Sequence, residues 1–569
     1  MPTDPVTLEV VGNYLVSAVR EMGVTLRRTA YSTIIREQHD CTTALFDASG
    51  LLIAQADHVP SHQGTLSWAA KTVARTMEMR DGDVIVLNHP YMGGTHHPDI
   101  MIFKPVFHDG ELVAISGSLG HHLDVGGRSP GSVATDAKDV FEEGIMIPPL
   151  HLFRDGKVVQ PILDMIAANI RLPDQTMGDI RAQIASVSVG ERRYRELCAK
   201  HGVAGLRAIV ADLLDTSERQ IREDIARYPN GTYHAEGFMD GDGIEDVPVR
   251  IAVAVTLADG AVTVDFAGTS RQVKGPFNCS VSSVSAAAFC AVRYMASPQI
   301  LQNEGCYRPI TLKLPEGSVV NPVKPAPLSG RFHTMERIAN TIVMAFNQAR
   351  GAEAVGSTHA HLSSYSVSGR RPETGKPFIL FDFLGGGWGG TAETDGLDGT
   401  LGLMANCQDA PIEVVEMEHP LRVERYELVA DTGGAGLRRG GLGLRREVRY
   451  LHGEGYVTNR SDAQKFPPPG VLGGGEGAPS RQSIERTDGS IEWLPSKVTN
   501  RSIVAGEMIR MATPGGGGHG DPRARPVEWV AEDVADGKVS VAAARAVYGV
   551  AVDAAGVVDA AETARLRAP

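Results

Sequence analysis

Two clusters of histidine and aspartate stand at the two ends of a predicted β-hairpin. The first, residues 88–99, reads NHPYMGGTHHPD, and the second, residues 120–127, reads GHHLDVGG. Between them, the apolar runs 102–107 and 112–116 flank the turn sequence Asp109-Gly110. Because the two ends of a hairpin lie side by side, this fold can bring the two clusters together.

The clusters have the composition of a transition-metal site. Imidazole together with carboxylate suits Zn²⁺, Mn²⁺ or Fe²⁺, whereas Mg²⁺ and Ca²⁺ prefer oxygen ligands. A lone histidine more often caps a turn or satisfies a buried backbone group, but five histidines with two aspartates favour a metal or catalytic site. The segment REQHD, residues 36–40, could add Asp40, although a charged segment before a strand is ordinarily a solvated turn.

Hydrophobic periodicity predicts a mixed α/β (α+β), multi-lobed fold. Helical spacing covers 6–29, two helices joined near Gly202 within 175–228, then 283–295, 334–350 and a tail at 525–550. Strand patterns predict hairpins at 44–55, 102–116 and 151–159, a further pair of strands around the turn 258–260, and more strands after Phe378 and over 425–512. We expect four lobes: an α/β lobe that carries the metal (1–174), a helical connector (175–232), a mixed central lobe (233–424) and a β-rich, glycine-rich lobe with a helical tail that builds a subunit interface (425–569).

Charge and composition exclude several classes of function. The 569-residue chain has a formal net charge of −13, which argues against a nucleic-acid surface. The sequence has no basic, apolar leader and no apolar stretch of bilayer length, so we expect a cytoplasmic protein without a membrane segment. Six cysteines without a Cys-x-x-Cys pair predict reduced thiols and exclude a zinc-finger architecture.

Other catalytic signatures are weak. The glycine-rich segments 383–390, 431–436 and 514–520 lack the Gly-Lys-Ser/Thr ending and the strand-to-helix context of nucleotide loops, which indicates no ATP or NAD site in this chain. Structural turns in a crowded lobe are the favoured interpretation. No Gly-x-Ser-x-Gly elbow has a strand-to-helix setting. Cys41, close to Asp40, is a minor candidate nucleophile, and a buried structural thiol is the favoured role.

Five motifs in order resemble the hydantoinase B/oxoprolinase family. The resemblance runs from near residue 5 to near residue 550, which is essentially the whole chain. The segments that carry it are GGTHHPD (93–99), HHLDVGGRSPGS (121–132), EGIMIPP (143–149), GAGLRRGGLG (434–443) and TPGGGGHGDP (513–522).

The resemblance implies a division of labour between two subunits. An A-type partner, in a heterodimer or heterotetramer, would bind ATP and Mg²⁺ and phosphorylate the substrate. The B-type chain would supply a divalent metal (Zn, Mn or Fe). The family's ligands fall on Asp40, His97, Asp99 and His122, and His121 and Asp124 take catalytic roles or stand as alternates among the adjacent residues.

The activity implied is ATP-dependent opening of a hydantoin, 5-oxoproline or related lactam ring. A metal that lowers the pKa of water would assist attack on the activated carbon. Three alternatives stay open: a subunit of an ATP-dependent ketone carboxylase of the acetone or acetophenone type, a non-catalytic scaffold for the A-type subunit, and a stand-alone metallohydrolase.

Overall fold

The computed structural model describes residues 3–56 and 58–568. The chain falls into two compact units: Met1–His234 with Ile251–Ala339 and Met404–Pro411, and Ala235–Arg250 with Asn340–Leu403 and Ile412–Pro569. Helices and several separate sheets build them, which confirms the mixed α/β, multi-lobed class. The finer division into four lobes stays a prediction.

The described residues contain twelve α-helices, besides short 3-10 turns. They are α1 (Pro5–Thr29), α2 (Thr33–Arg36), α3 (Thr65–Thr76), α4 (Gln160–Ala168), α5 (Pro173–His201), α6 (Val203–Ile225), α7 (Val281–Tyr294), α8 (Arg331–Arg350), α9 (Ile412–Glu418), α10 (Val527–Ala535), α11 (Val541–Ala546) and α12 (Ala560–Arg567). Each predicted helix is present, whereas α2, α3, α4, α9 and α12 lie outside the predicted ones. In this part of the chain no helix is long and apolar enough to cross a membrane.

The strands follow the same chain order. They are β1 (Cys41–Asp47), β2 (Leu52–Gln55), β3 (Val84–Leu87), β4 (Asp99–His108), β5 (Glu111–His121), β6 (Leu150–Arg154), β7 (Lys157–Val158), β8 (Gly231–Met239), β9 (Val249–Ala258), β10 (Ala261–Asp265), β11 (Ile310–Lys313), β12 (Ser363–Arg370), β13 (Pro377–Leu384), β14 (Leu421–Leu428), β15 (Leu444–Tyr450), β16 (Glu454–Arg460), β17 (Arg481–Glu485), β18 (Ile491–Leu494), β19 (Lys497–Val504) and β20 (Met508–Ala512).

A seven-stranded sheet organises the first unit. Its order is β2-β1-β5-β4-β3-β6-β7, and the predicted hairpins β1/β2, β4/β5 and β6/β7 are all present in it. The apolar stripe of α1 packs with α5 and α6 against this sheet through buried residues such as Leu15, Tyr194 and Leu206. Ile180 and Val187 of α5 join a second core cluster with β3 and β4. The sheet therefore stands on a helical layer that fixes the position of its strand ends.

A close approach at Gly190 yields a test of this packing. A Cβ atom there would lie 2.3 Å from Ser116 Oγ and 2.6 Å from Met22 Sδ. Gly190→Ala should therefore lower the free energy of unfolding by about 1–3 kcal/mol, despite the better helix propensity of alanine. Gly205→Ala in α6 is the matched control, because nothing lies within 4 Å of its Cβ position; it should stabilise by about 0.4–1 kcal/mol. Thermal denaturation measures both, and equal shifts would contradict this packing.

Two sheets and a glycine-rich bundle make up most of the second unit. The sheets have the orders β13-β12-β16-β19 and β14-β15-β20-β17-β18. Glycine segments pack backbone against backbone: the amide of Gly390 donates to Gly517 O, that of Gly516 to Gly441 O and that of Gly441 to Trp388 O. A Cβ atom at Gly516 would lie only 2.0 Å from Trp388 O. Side chains are therefore excluded from the middle of this bundle.

Candidate metal centre

Three neighbouring strand ends bring Asp40, His121 and Asp99 together. In the sheet β5 lies between β1 and β4. Asp99 pairs directly with His121, and Cys41 pairs with Gly120. The amide of His121 donates to the carbonyl of Asp40 at 3.0 Å. Because directly paired residues point to the same face of a sheet, the register itself places the Asp99 and His121 side chains together.

His96 completes a triangle of ligand atoms with Asp99 and His121. His96 Nε2 lies 3.2 Å from His121 Nδ1 and 3.2 Å from Asp99 Oδ1, and His121 Nδ1 lies 3.1 Å from Asp99 Oδ1. The three side chains are buried. Ligand atoms about 2.1 Å from one metal ion lie about 3.0–3.4 Å apart in octahedral or tetrahedral geometry, so this triangle has the dimensions of one face of a coordination polyhedron.

Asp40 is placed to extend this set. Its Oδ2 lies 3.9 Å from His121 Nδ1. Two imidazoles and two carboxylates are a donor set that Zn²⁺, Mn²⁺ and Fe²⁺ accept. The four residues present therefore fit a divalent transition metal.

The outer oxygen of Asp99 is held by two further side chains. Asp99 Oδ2 accepts hydrogen bonds from Thr95 Oγ1 and from the guanidinium of Arg331, which is buried at the start of α8. With Oδ2 held in this way, Oδ1 of Asp99 faces the imidazoles of His96 and His121. Nothing in the sequence near Arg331 points to this role, because it is 232 residues away from Asp99 along the chain.

Electrostatics keep the ligand atoms available. Burial lowers the pKa of His96 well below its ordinary value, and Arg331 lowers it further. Burial alone would raise the pKa of Asp99, but His96, Arg331 and His121 together lower it well below its ordinary value. Burial raises the pKa of Asp40 to about 6. Near neutral pH, His96 is thus a neutral imidazole and Asp99 and Asp40 are carboxylates, which are the protonation states that bind metals.

His62 is a neighbour that sequence reasoning missed. It is buried in a short turn after β2, its Nδ1 lies 3.0 Å from Thr42 Oγ1, and its Nε2 lies 3.9 Å from Asp40 Oδ1. Burial lowers its pKa to about 4. A single histidine in the sequence PSHQG carries no ligand spacing, so only the fold reveals that it lies beside the cluster.

His97 and His122 contact polar side chains other than those of the triangle. His97 Nδ1 lies 3.6 Å from Glu143 Oε2, and His122 Nε2 lies 3.0 Å from Gln183 Oε1 on α5. Burial raises the pKa of Glu143 to about 8, and its carboxyl group accepts the amides of Leu328 and Ser329. This carboxyl therefore anchors the segment that leads into Arg331.

Asp124 and Cys41 also have defined environments. Asp124 accepts the backbone amides of Gly126 and Gly131 at 3.0 Å, and its Oδ2 pairs with Arg171 at 2.8 Å. These contacts fix the turn that follows β5. Cys41 is fully buried, and burial raises the pKa of its thiol to about 12. Since the thiolate is the reactive form, this environment suits an inert structural cysteine.

The fold and the cluster define a multi-sheet α/β protein with a buried histidine and aspartate centre. The sequence model of the family described as hydantoinase B/oxoprolinase matches residues 4–522. This chain belongs to the hydantoinase B/oxoprolinase family, which confirms the resemblance of its motifs.

Named relatives give the match more detail. Caprolactamase subunit beta of Pseudomonas jessenii is 32% identical over 99% of both chains. A crystal structure of the ATP-dependent caprolactamase from that organism superposes with a TM-score of 0.94 at 32% identity and covers both chains completely. 5-Oxoprolinase 1 of Arabidopsis thaliana is 30% identical over 91% of this chain but only 42% of its own length.

A more distant structure shares the fold. Nucleotide-free acetone carboxylase superposes with a TM-score of 0.91 at 21% identity, over 99% of this chain and 82% of the other. This likeness extends to the fold alone.

Proposed function

We propose that this chain is the B-type, metal-carrying subunit of an ATP-dependent enzyme that opens a hydantoin, 5-oxoproline or related lactam ring. The observation that carries the proposal is the triangle of His96, Asp99 and His121, whose edges of 3.1–3.2 Å match the spacing of metal ligands. Membership in the family and the likeness to a caprolactamase support the choice of a cyclic amide as substrate.

We assign the ligands to Asp40, His96, Asp99 and His121. Between the adjacent histidines, this assignment takes His96 over His97 and His121 over His122, because His97 and His122 lie against Glu143 and Gln183. Asp124 is assigned to the turn after β5 through its pair with Arg171. The metal is Zn, Mn or Fe.

The residues of this chain perform three tasks. The buried cluster excludes bulk water, which strengthens every charge interaction within it. Thr95 and Arg331 hold Asp99 in one orientation. His62, neutral near physiological pH because burial lowers its pKa, places an uncharged imidazole beside Asp40. A divalent metal held by the four assigned ligands would supply Lewis-acid polarisation and would lower the pKa of water.

ATP and Mg²⁺ belong to an A-type partner subunit in a heterodimer or heterotetramer that works in the cytoplasm. The chain has no phosphate-binding loop in its sequence. A relative named as a beta subunit, and a 5-oxoprolinase in which the matching part is 42% of a longer chain, support an assembly in which further polypeptide completes the enzyme.

The test is reconstitution of the two subunits. Co-purified with its A-type partner, this chain should contain about one divalent metal, and the complex should couple ATP hydrolysis to ring opening of a hydantoin, 5-oxoproline or a lactam. Removal of the metal with a chelator should stop ring opening, and adding it back should restore turnover.

Each alternative predicts a different result. A requirement for bicarbonate with a ketone substrate would place the chain among the carboxylases. Full turnover by a metal-free complex would show that this chain is a non-catalytic scaffold for the A-type subunit. Turnover without ATP or partner would make it a stand-alone hydrolase.

A further inference from the structure

An open groove of about 400 Å³ lies on the five-stranded sheet of the second unit. Its walls include Arg445, Arg481, Arg510 and Trp493, and Ala512 lies on its floor. The residues proposed above as metal ligands all belong to the other unit.

The strand register explains the arrangement of the arginines. Ala512 on β20 pairs with Arg445 on β15 and with Arg481 on β17. Paired residues share a face, so the two arginines flank the small alanine side chain across two strand spacings, or about 9.6 Å. Two guanidinium groups at this separation can converge on one carboxylate above Ala512.

The next row of the same face adds a third arginine and a tryptophan. Arg510 pairs with Glu447 on one side and Ser483 on the other, and Ser483 pairs with Trp493. The Trp493 side chain, on the edge strand β18, is 64% exposed. An exposed tryptophan beside arginines is the composition of an interaction hot spot.

Arginine is the most frequent residue among those that line the groove. The groove carries three arginines against one glutamate, although the whole chain has a formal net charge of −13. Arg445 has an ion pair at 3.4 Å with Glu427, and Arg510 has ion pairs with Glu485 and, at 3.5 Å, with Glu447. Arg481 is exposed and has no ion-pair partner among the described residues. Arg481 is therefore the guanidinium of this groove that an external carboxylate can use, with Arg445 on the other side of Ala512.

We infer that this groove docks an acidic segment of the A-type partner subunit. The guanidinium of Arg481, which has no internal ion pair, selects a carboxylate. The open shape with an exposed indole suits a protein surface better than an enclosed small molecule. The inference rests on the proposed function, because it names the surface through which the proposed assembly forms.

The experiment measures the affinity between the full chain and its purified A-type partner by titration calorimetry. Arg445→Glu/Arg481→Glu should weaken binding at least about 10-fold, and Trp493→Ala should weaken it as well. The wild-type affinity should fall as salt is raised, and the double variant should lose most of this dependence. Arg28→Glu/Arg181→Glu makes the same charge change at two exposed arginines elsewhere and should retain wild-type affinity.

The outcomes separate the two proposals. Equal affinity of the wild type and the groove variant, equal weakening in the control, self-association through the groove, or a wild-type affinity that ignores salt would each overturn the inference while the subunit assembly stands. Absence of any complex with wild-type chain would overturn the proposed function itself. If the double variant does not fold, judged by circular dichroism, Arg481→Gln and the salt dependence of the wild type decide.

Discussion

His121→Ala is expected to remove most of the bound metal and nearly all partner-dependent turnover. His121 Nδ1 lies 3.1 Å from Asp99 Oδ1 and 3.2 Å from His96 Nε2, at the middle of the proposed ligand set. Loss of a hydrogen-bond partner that orients a ligand typically lowers metal affinity about 10–100-fold. Loss of a ligand itself should therefore lower the affinity by about 100-fold or more. Turnover should fall about 1000-fold, because several kcal/mol of Lewis-acid stabilisation disappear.

His122→Ala is the matched control for this experiment. Its imidazole faces Gln183 at 3.0 Å, so the variant should lose some thermal stability and keep about one metal per chain. Elemental analysis and ATP-coupled turnover measure both variants. Metal loss in the His122 variant with retention in the His121 variant would reverse the ligand assignment.

Replacing Arg331 by methionine should have the second largest effect. Arg331 and Asp99 form an ion pair in which the side chains are 2% and 1% exposed. Breaking such a pair leaves a buried carboxylate without its cation, so the free energy of unfolding of the metal-free protein should fall by about 3–5 kcal/mol. Metal affinity, measured by competition with a chromophoric chelator, should fall about 10–100-fold because Asp99 loses the contact that orients it.

Arg331→Lys tests whether the positive charge is sufficient without the geometry of the guanidinium group. Lysine keeps the positive charge but lacks the planar fork of the guanidinium, so it should recover part of the stability and part of the metal affinity. If methionine and lysine gave the same metal affinity, Arg331 would have no role in orienting Asp99. A stable, metal-loaded methionine variant would argue against the ion pair altogether.

The strand and helix patterns were enough to predict the fold class, but one irregularity decides the register at the centre. Counting back from the turn at Asp109-Gly110, a regular hairpin would place Asp99 opposite Gly120 rather than His121. The structure has a bulge between Val106 and Phe107 that shifts the register by one residue. A one-residue shift exchanges the two faces of a strand, so sequence alone could not choose between His121 and His122.

Two other parts of the centre depend on tertiary structure. Arg331 reaches Asp99 from the start of α8, and His62 reaches Asp40 from a turn after β2. Neither has a local spacing pattern with the residue that it contacts. By contrast, Asp40, Asp99 and both histidine pairs were accessible to sequence reasoning, because the clusters lie at strand ends that must be neighbours.

The glycine bundle of the second unit has a thermodynamic consequence. Backbone hydrogen bonds hold its segments together, such as those from the amide of Gly390 to the carbonyl of Gly517 and from the amide of Gly516 to the carbonyl of Gly441. Unfolding it exposes peptide groups more than apolar surface, and hydration of polar groups lowers the heat capacity while hydration of apolar groups raises it. The bundle should therefore contribute less heat-capacity change per residue than the apolar core of the first unit, and its stability should vary less steeply with temperature.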